Sequence, residues 1–198
     1  LTAGTIATAN NLICQGAVPG QFTETAPPTG GSGSYTYQWE QSNSGLPNSW
    51  TPISGATTPS FSPVQAITTT RFYRRITSDG LVTAPSNEIT INTVTKPSIV
   101  ASANITTIPP GAAVQLSGDG AGAGTTSYQW FIGSGSVGTT QQVTVSPSIT
   151  TSYILEGTSN EGCKNRDTIL ITVRAIVGGS IAAASNSLCV GNGGVTIN

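Results

Sequence analysis

One short pattern limits what this chain can become, because it is written twice. Tyr35-Thr36-Tyr37-Gln38-Trp39-Glu40 is answered, 91 positions later, by Ser127-Tyr128-Gln129-Trp130. In each copy aromatic residues alternate with polar ones, so a strand built from either has one apolar and one wet face. A Trp on the third strand of a two-sheet sandwich is the anchor around which such a domain packs. Two copies imply two sandwiches, and 198 residues leave about 90–100 for each, the usual size.

The chain between the copies has the matching rhythm. Short runs rich in Thr, Ile and Val are separated by turn clusters such as Val18-Pro19-Gly20, Pro27-Pro28, Asp79-Gly80 and Pro109-Pro110-Gly111. The expected architecture is all-β, a tandem of immunoglobulin-like sandwiches in an elongated array. Residues 1–94 form the first, 95–174 a second and shorter subtype, with Thr95-Lys96-Pro97 as a short, semi-rigid connector. A long strand is expected over Ile67–Ser78, a loop over Gly118–Gly124 and a closing strand over Thr168–Val173. The expected core is Tyr37, Trp39, Phe72, Ile89 and Ile91 in the first sandwich, and Tyr128, Trp130, Tyr153, Ile169 and Ile171 in the second. Tyr153 is placed as a tyrosine corner, its hydroxyl bonded to backbone.

Offsets define the repeat. Ile67-Thr68-Thr69-Thr70 and Ile149-Thr150-Thr151-Ser152 are 82 apart, not 91, so the second sandwich is about nine residues shorter after its Trp strand. At an offset of 175, Ala3-Gly4-Thr5-Ile6-Ala7 meets Gly178-Gly179-Ser180-Ile181-Ala182, and Cys14 meets Cys189. Residues 175–198 are therefore expected to be the first strands of a further first-type sandwich, and the repeating unit is the pair. Repeats of this kind stack in one dimension, each touching mainly its neighbours.

Composition excludes several functions. Charged residues are 8% of the chain, against roughly 25% in ordinary globular proteins, and the net charge is −1. That balance argues against electrostatic capture of nucleic acid or an anionic membrane. Without His, no Ser or Cys has an obvious general base, and Glu24, Glu40, Glu88 and Glu156 are scattered over different strands. No enzyme, no cofactor and no metal site is expected; Asp79-Gly80 and Asp119-Gly120 read as solvated turns. No run approaches the ~20 apolar residues of a membrane span. The absence of Met leads to the expectation that Leu1 is an internal position of a longer polypeptide.

Arg71, Arg74 and Arg75 are the one charge cluster. Alternation puts Phe72, Arg74 and Ile76 on one face and Arg71, Tyr73 and Arg75 on the other, so either register leaves an Arg near the core. Two readings stand. Arg side chains can snorkel over a sheet face and pair with Glu40 or Glu88. Alternatively Arg71, Tyr73 and Arg75 offer forks and an aromatic plane to an anionic glycan.

Four stretches carry a family resemblance: Tyr35–Ser42, Trp50–Thr57, Thr69–Arg75 and Ser86–Ile89. They resemble the Ig-like repeats of very large Bacteroidetes surface proteins. The second domain, with Tyr128-Gln129-Trp130, Thr150–Tyr153 and Asn160–Cys163, is similar to the PKD-like modules of the same proteins. Gliding-motility adhesins of the SprB type alternate such modules. The resemblance implies a structural and adhesive segment of a cell-surface filament for attachment and gliding, exported by type IX secretion and associated with the outer membrane. Implied partners are neighbouring repeats, an external surface or polysaccharide, and motility and secretion machinery acting through other regions; no nucleic acid is implied. The alternative is a spacer or carbohydrate-binding module of a secreted polysaccharide-degrading enzyme. Asp167-Thr168-Ile169 also resembles the O-glycosylation acceptor motif of such proteins, at Thr168, and a place in a strand explains the same residues equally well. In the first subtype, a Cys near the start usually pairs with the turn after the long strand. Here that turn is Asp79-Gly80-Leu81-Val82, while Cys163 occupies the equivalent turn of the second domain. Unpaired thiols are expected, with a Cys14–Cys163 bridge as the alternative.

Overall fold

The computed structural model describes residues 1–121 and 124–175. The proposed start of a further sandwich lies, beyond residue 175, outside the described residues. Every regular element described is a strand.

The first sandwich is entered by β1 (Thr5–Thr8) and β2 (Leu12–Cys14), which belong to different sheets. Between them Asn10 breaks the strand: its Oδ1 accepts the Leu12 amide, a local turn that short Asx side chains form readily. β1 pairs antiparallel with β3 (Phe22–Ala26), whereas β2 runs parallel to β8 (Ile89–Val94), with Cys14 opposite Val94. The second sheet continues from β8 to β6 (Arg71–Ser78), β4 (Thr36–Ser42) and β5 (Thr51–Pro52), and β7 (Thr83–Pro85) also joins β6. Both sheets feed one core: Ile6, Phe22, Trp39, Ala56, Ile67, Tyr73, Ile89 and Ile91. Phe22 is its centre, with ring centroids 4.8 Å from Tyr73, 5.8 Å from Trp39 and 6.1 Å from Phe61.

The second sandwich repeats the plan. Its strands are β9 (Ser98–Ala103), β10 (Thr107–Ile108), β11 (Val114–Ala121), β12 (Thr125–Ile132), β13 (Gly135–Gly138), β14 (Gln142–Val145), β15 (Thr151–Ser159) and β16 (Lys164–Val173). β9 pairs with β11 as β1 does with β3, and β10 lies parallel to β16 as β2 does to β8. The β11–β14 ladder stands where the first sandwich has a single bridge, Phe22 to Phe61. Ile99, Ile108, Val114, Leu116, Trp130, Val145, Tyr153, Leu155 and Ile171 form its core. The protein is thus all-β and built from immunoglobulin-like sandwiches.

Three expectations about elements are corrected. Gly118 to Ala121 is strand, paired with β9 from Ala101 to Ser98, and not loop. The glycine there serves packing: a Cβ at Gly118 would stand 2.6 Å from Leu155 Cδ2. The long strand begins at Arg71; Ile67 makes one bridge to Ala17. The closing strand starts earlier, at Lys164.

Candidate functional site

The two sandwiches meet at a junction crossed twice by covalent bonds. One crossing is the connector, in which Pro97 is buried and its carbonyl accepts a 2.9 Å hydrogen bond from Asn165 Nδ2 of β16. The other is a disulfide between Cys14 and Cys163, with Cα atoms 5.6 Å apart and a sequence separation of 149. The expectation of unpaired thiols is therefore overturned. Each cysteine has no partner within its own sandwich, and the junction brings the two together.

Both cysteines sit in places the sequence builds firmly. Cys14 ends β2 beside Val94, the last residue of the first sandwich's final strand, and the Gln15 amide donates to the Val94 carbonyl at 2.8 Å. The Gly16 amide then donates to Ile67. Cys163 lies in the tight turn between β15 and β16, where its amide donates to Ser159 Oγ and its carbonyl accepts from the Ser159 amide. Gly162, with φ +79°, supplies the left-handed step that closes this turn. Cys163 is 1% exposed. Asn10, Leu12, Ile13, Val94 and Glu161 surround the sulfur bridge.

Beside this turn, Glu156 of β15 is buried and bonded by Lys164 Nζ at 2.8 Å and Arg166 Nε at 2.7 Å. The Lys164 hydrogen bond above all, then Arg166, holds its carboxyl below the usual glutamate value against the opposing effect of burial. Arg166 also lies over the Phe131 ring, 5.3 Å from its centroid.

The basic cluster of β6 is divided between the two faces. Arg74 is on the outer face, paired with Glu40 at 2.8 Å and stacked 4.2 Å over Trp50. Tyr73 and Arg75 point inward and are 3% and 0% exposed. That burial overturns the glycan-contact reading of Arg71, Tyr73 and Arg75, because two of the three side chains offer nothing to solvent. Arg71, half-buried, donates to Gln41 Oε1. A buried guanidinium is costly unless most of its donors are met, and in Arg75 Nη1 and Nη2 are bonded while Nε is buried without a partner among the described residues. Arg75 Nη1 reaches Glu24 and the Pro59 carbonyl at 2.7 Å, Nη2 reaches the Ala3 carbonyl, and the plane lies 4.6 Å over Tyr37. Nothing local to β6 announces these partners. Burial raises the Tyr73 phenol, with Arg71 opposing, and raises that of Tyr153.

Of the expected core, Trp39, Ile89, Ile91, Trp130, Tyr153 and Ile171 are buried. Tyr128 and Ile169 are partly buried against the second core. Tyr37 and Phe72 are half-buried and outside the first core: Tyr37 serves Arg75, and Phe72 lies on the opposite face from Tyr73, near Gly45. For Tyr153, no hydroxyl-to-backbone bond is found among the described residues, so its ring does the packing. Asp79 is in a turn as expected, its carboxyl held low by the Val82 and Leu81 amides. Asp119 is in β11, not a turn. Thr168 is exposed on β16. Ser86 and Asn87 were legible only as part of the resemblance. In the structure Ser86 Oγ accepts the Arg75 amide, and Asn87 meets both the amide and carbonyl of Ile6, tying β1 across to the other sheet.

Glu24, Glu40 and Glu156 are each engaged by a cation, and no group of three metal-ligating side chains occurs among the described residues. A groove of about 260 Å³ lined by Gln41, Ile53, Phe61, Pro63, Val64 and Tyr73 contains no charged side chain. Chemically, the site is a joint.

Residues 2–96 match a family model described as a domain of unknown function (DUF8696). No curated protein matches. Among solved structures, the fibronectin(III)-like modules of Clostridium thermocellum CbhA are 10% identical with a TM-score of 0.40, over 90% of this chain and 100% of that one. The amphioxus IgVJ-C2 molecule is 11% identical with a TM-score of 0.34, over 82% and 99%. The N-terminal four Ig domains of Dscam1 isoform 6.9 are 7% identical with a TM-score of 0.36, over 86% of this chain and 46% of that one.

Proposed function

We propose that this chain is a structural and adhesive segment of a long cell-surface filament that serves surface attachment and gliding motility. The observation that carries the reading is the doubly tethered joint between two sandwiches of one plan. A chain that repeats a module and fixes the angle between copies is suited to setting reach and transmitting pull. The disulfide supports placement outside the cytosol, where such bonds persist. The resemblance of the Trp strands and of Ser86–Ile89 to gliding-adhesin repeats supports the rest. In this reading the partners are neighbouring repeats, an external surface or polysaccharide, and outer-membrane motility and secretion machinery reached through other regions. Exposed Thr168 is its proposed O-glycosylation site.

The test is an antibody raised against residues 1–175 and applied to intact cells that make the protein. Surface label that travels along gliding cells, and detachment when the gene is deleted, are the expected results; mass spectrometry of the same native protein reads Thr168. Label confined to the cytosol, or a hydrolase domain in the same polypeptide, would defeat the proposal.

A further inference from the structure

We propose that the Cys14–Cys163 bond is a covalent shunt, which carries tension past the chain between the two cysteines so that pulling cannot extend the greater part of either sandwich. The inference rests on the filament reading only for the origin of the tension; the shunt itself is a matter of connectivity.

Force applied at Leu1 runs along the backbone to Cys14. There it divides, and the short branch is one sulfur bridge to Cys163, from which the chain continues through β16 to Arg174. The long branch holds the rest of the first sandwich, the connector and the second sandwich up to its last turn. The bridge spans 5.6 Å between Cα atoms. The long branch, with a sequence separation of 149, would reach roughly 500 Å if drawn out at about 3.5 Å per residue. The short branch is taut first, so the long one bears no load while the bond is intact.

Only the segments outside the bridge feel the pull, and each is held by neighbouring strands or side chains. Ile6 of β1 is clasped at both its amide and its carbonyl by the Asn87 side chain. β2 is zipped to β8, and the Gln15 amide continues that ladder past Cys14. β16 is paired on both sides, by β15 along eight residue pairs and by β10. Peeling these segments away completely would release about 25 residues, roughly 90 Å.

The bond also makes extensibility depend on redox state. A dithiol reductant that takes the disulfide to two thiols, and is itself oxidised to a disulfide, moves the load onto the long branch. Both sandwiches can then be pulled open in turn.

Single-molecule force spectroscopy tests this on residues 1–198 held between marker domains, with Cys189→Ser throughout so that a third thiol cannot exchange. With 13 residues before the bridge and 35 after it, the oxidised protein is expected to show no release longer than about 170 Å before the marker domains open. Adding a dithiol reductant to the same molecules is expected to produce two further events of roughly 250 Å each. Cys163→Ser is expected to show those events without reductant. Should that variant fail to fold, the oxidised and reduced wild-type pairing decides alone. Events of 250 Å in oxidised molecules, the same traces with and without reductant, or two free thiols at Cys14 and Cys163 in native non-reduced protein would each overturn the shunt. None of these depends on where the filament is displayed or whether it glides.

Discussion

Trp39 and Trp130 are both fully buried, yet they are satisfied differently. The Trp39 indole donates to the Thr58 carbonyl at 2.9 Å; Trp130 Nε1 is buried without a partner among the described residues. Thr58 belongs to the stretch that the second sandwich has shortened, so the lost residues took the acceptor with them. Replacing either Trp by Ala should cost about 3–5 kcal/mol, as large core truncations do. Replacement by Phe separates the two. Trp39→Phe should cost about 1 kcal/mol more than Trp130→Phe, because only the former breaks a hydrogen bond. Urea unfolding of the two variants measures the difference, and equal losses would contradict this account. The tryptophans were legible because an aromatic in an alternating strand has few other uses. Arg75 was not: in the sequence its two possible faces look alike. The carbonyls and carboxylate that make the inward one tolerable come from Ala3, Glu24 and Pro59, brought near only by the fold.

Among elements, the strands that could be read were those long enough to show a period. β5 and β10 have two residues each and β7 has three, too few for alternation to register. β11 misled for the opposite reason. Its second half carries Gly118 and Gly120, a loop composition by any local rule, but the tight approach of Leu155 and Tyr128 calls for glycine within a paired strand. The β15–β16 hairpin holds a pH-sensitive contact, Glu156 with Lys164 and Arg166. Since the folded protein holds this carboxyl below its ordinary value of 4.5, the folded state binds its proton less readily than the unfolded chain. The stability it supplies is complete above about pH 4.5 and is lost as pH falls through the lower folded value. Denaturation at pH 6 and pH 3.5 should therefore show a larger loss for the wild type than for Glu156→Gln. Equal losses would remove Glu156 as a source of acid sensitivity.

At the scale of the whole molecule, one bond joins two sandwiches. Each sandwich has a single cysteine of the pair, yet unfolding either one alone must open a loop of about 70–80 residues closed through the other. The chain-entropy treatment gives up to about 4–5 kcal/mol for opening either sandwich alone, and about 5 kcal/mol in all once both are open, because the same bond closes both loops. Calorimetry of the Cys14→Ser variant should show both sandwiches melting earlier, including the second, whose own sequence is untouched. An unshifted second transition would mean that the bond constrains only its near neighbours. This coupling could not be read from the cysteines alone, since their pairing depends on how two domains meet. There is a consequence for durability as well. The connector and every loop between Cys14 and Cys163 lie inside a closed ring, so one proteolytic cut among them opens the ring without parting the molecule. The flanking ends stay joined through sulfur, so the protein ages by nicks rather than by breaks.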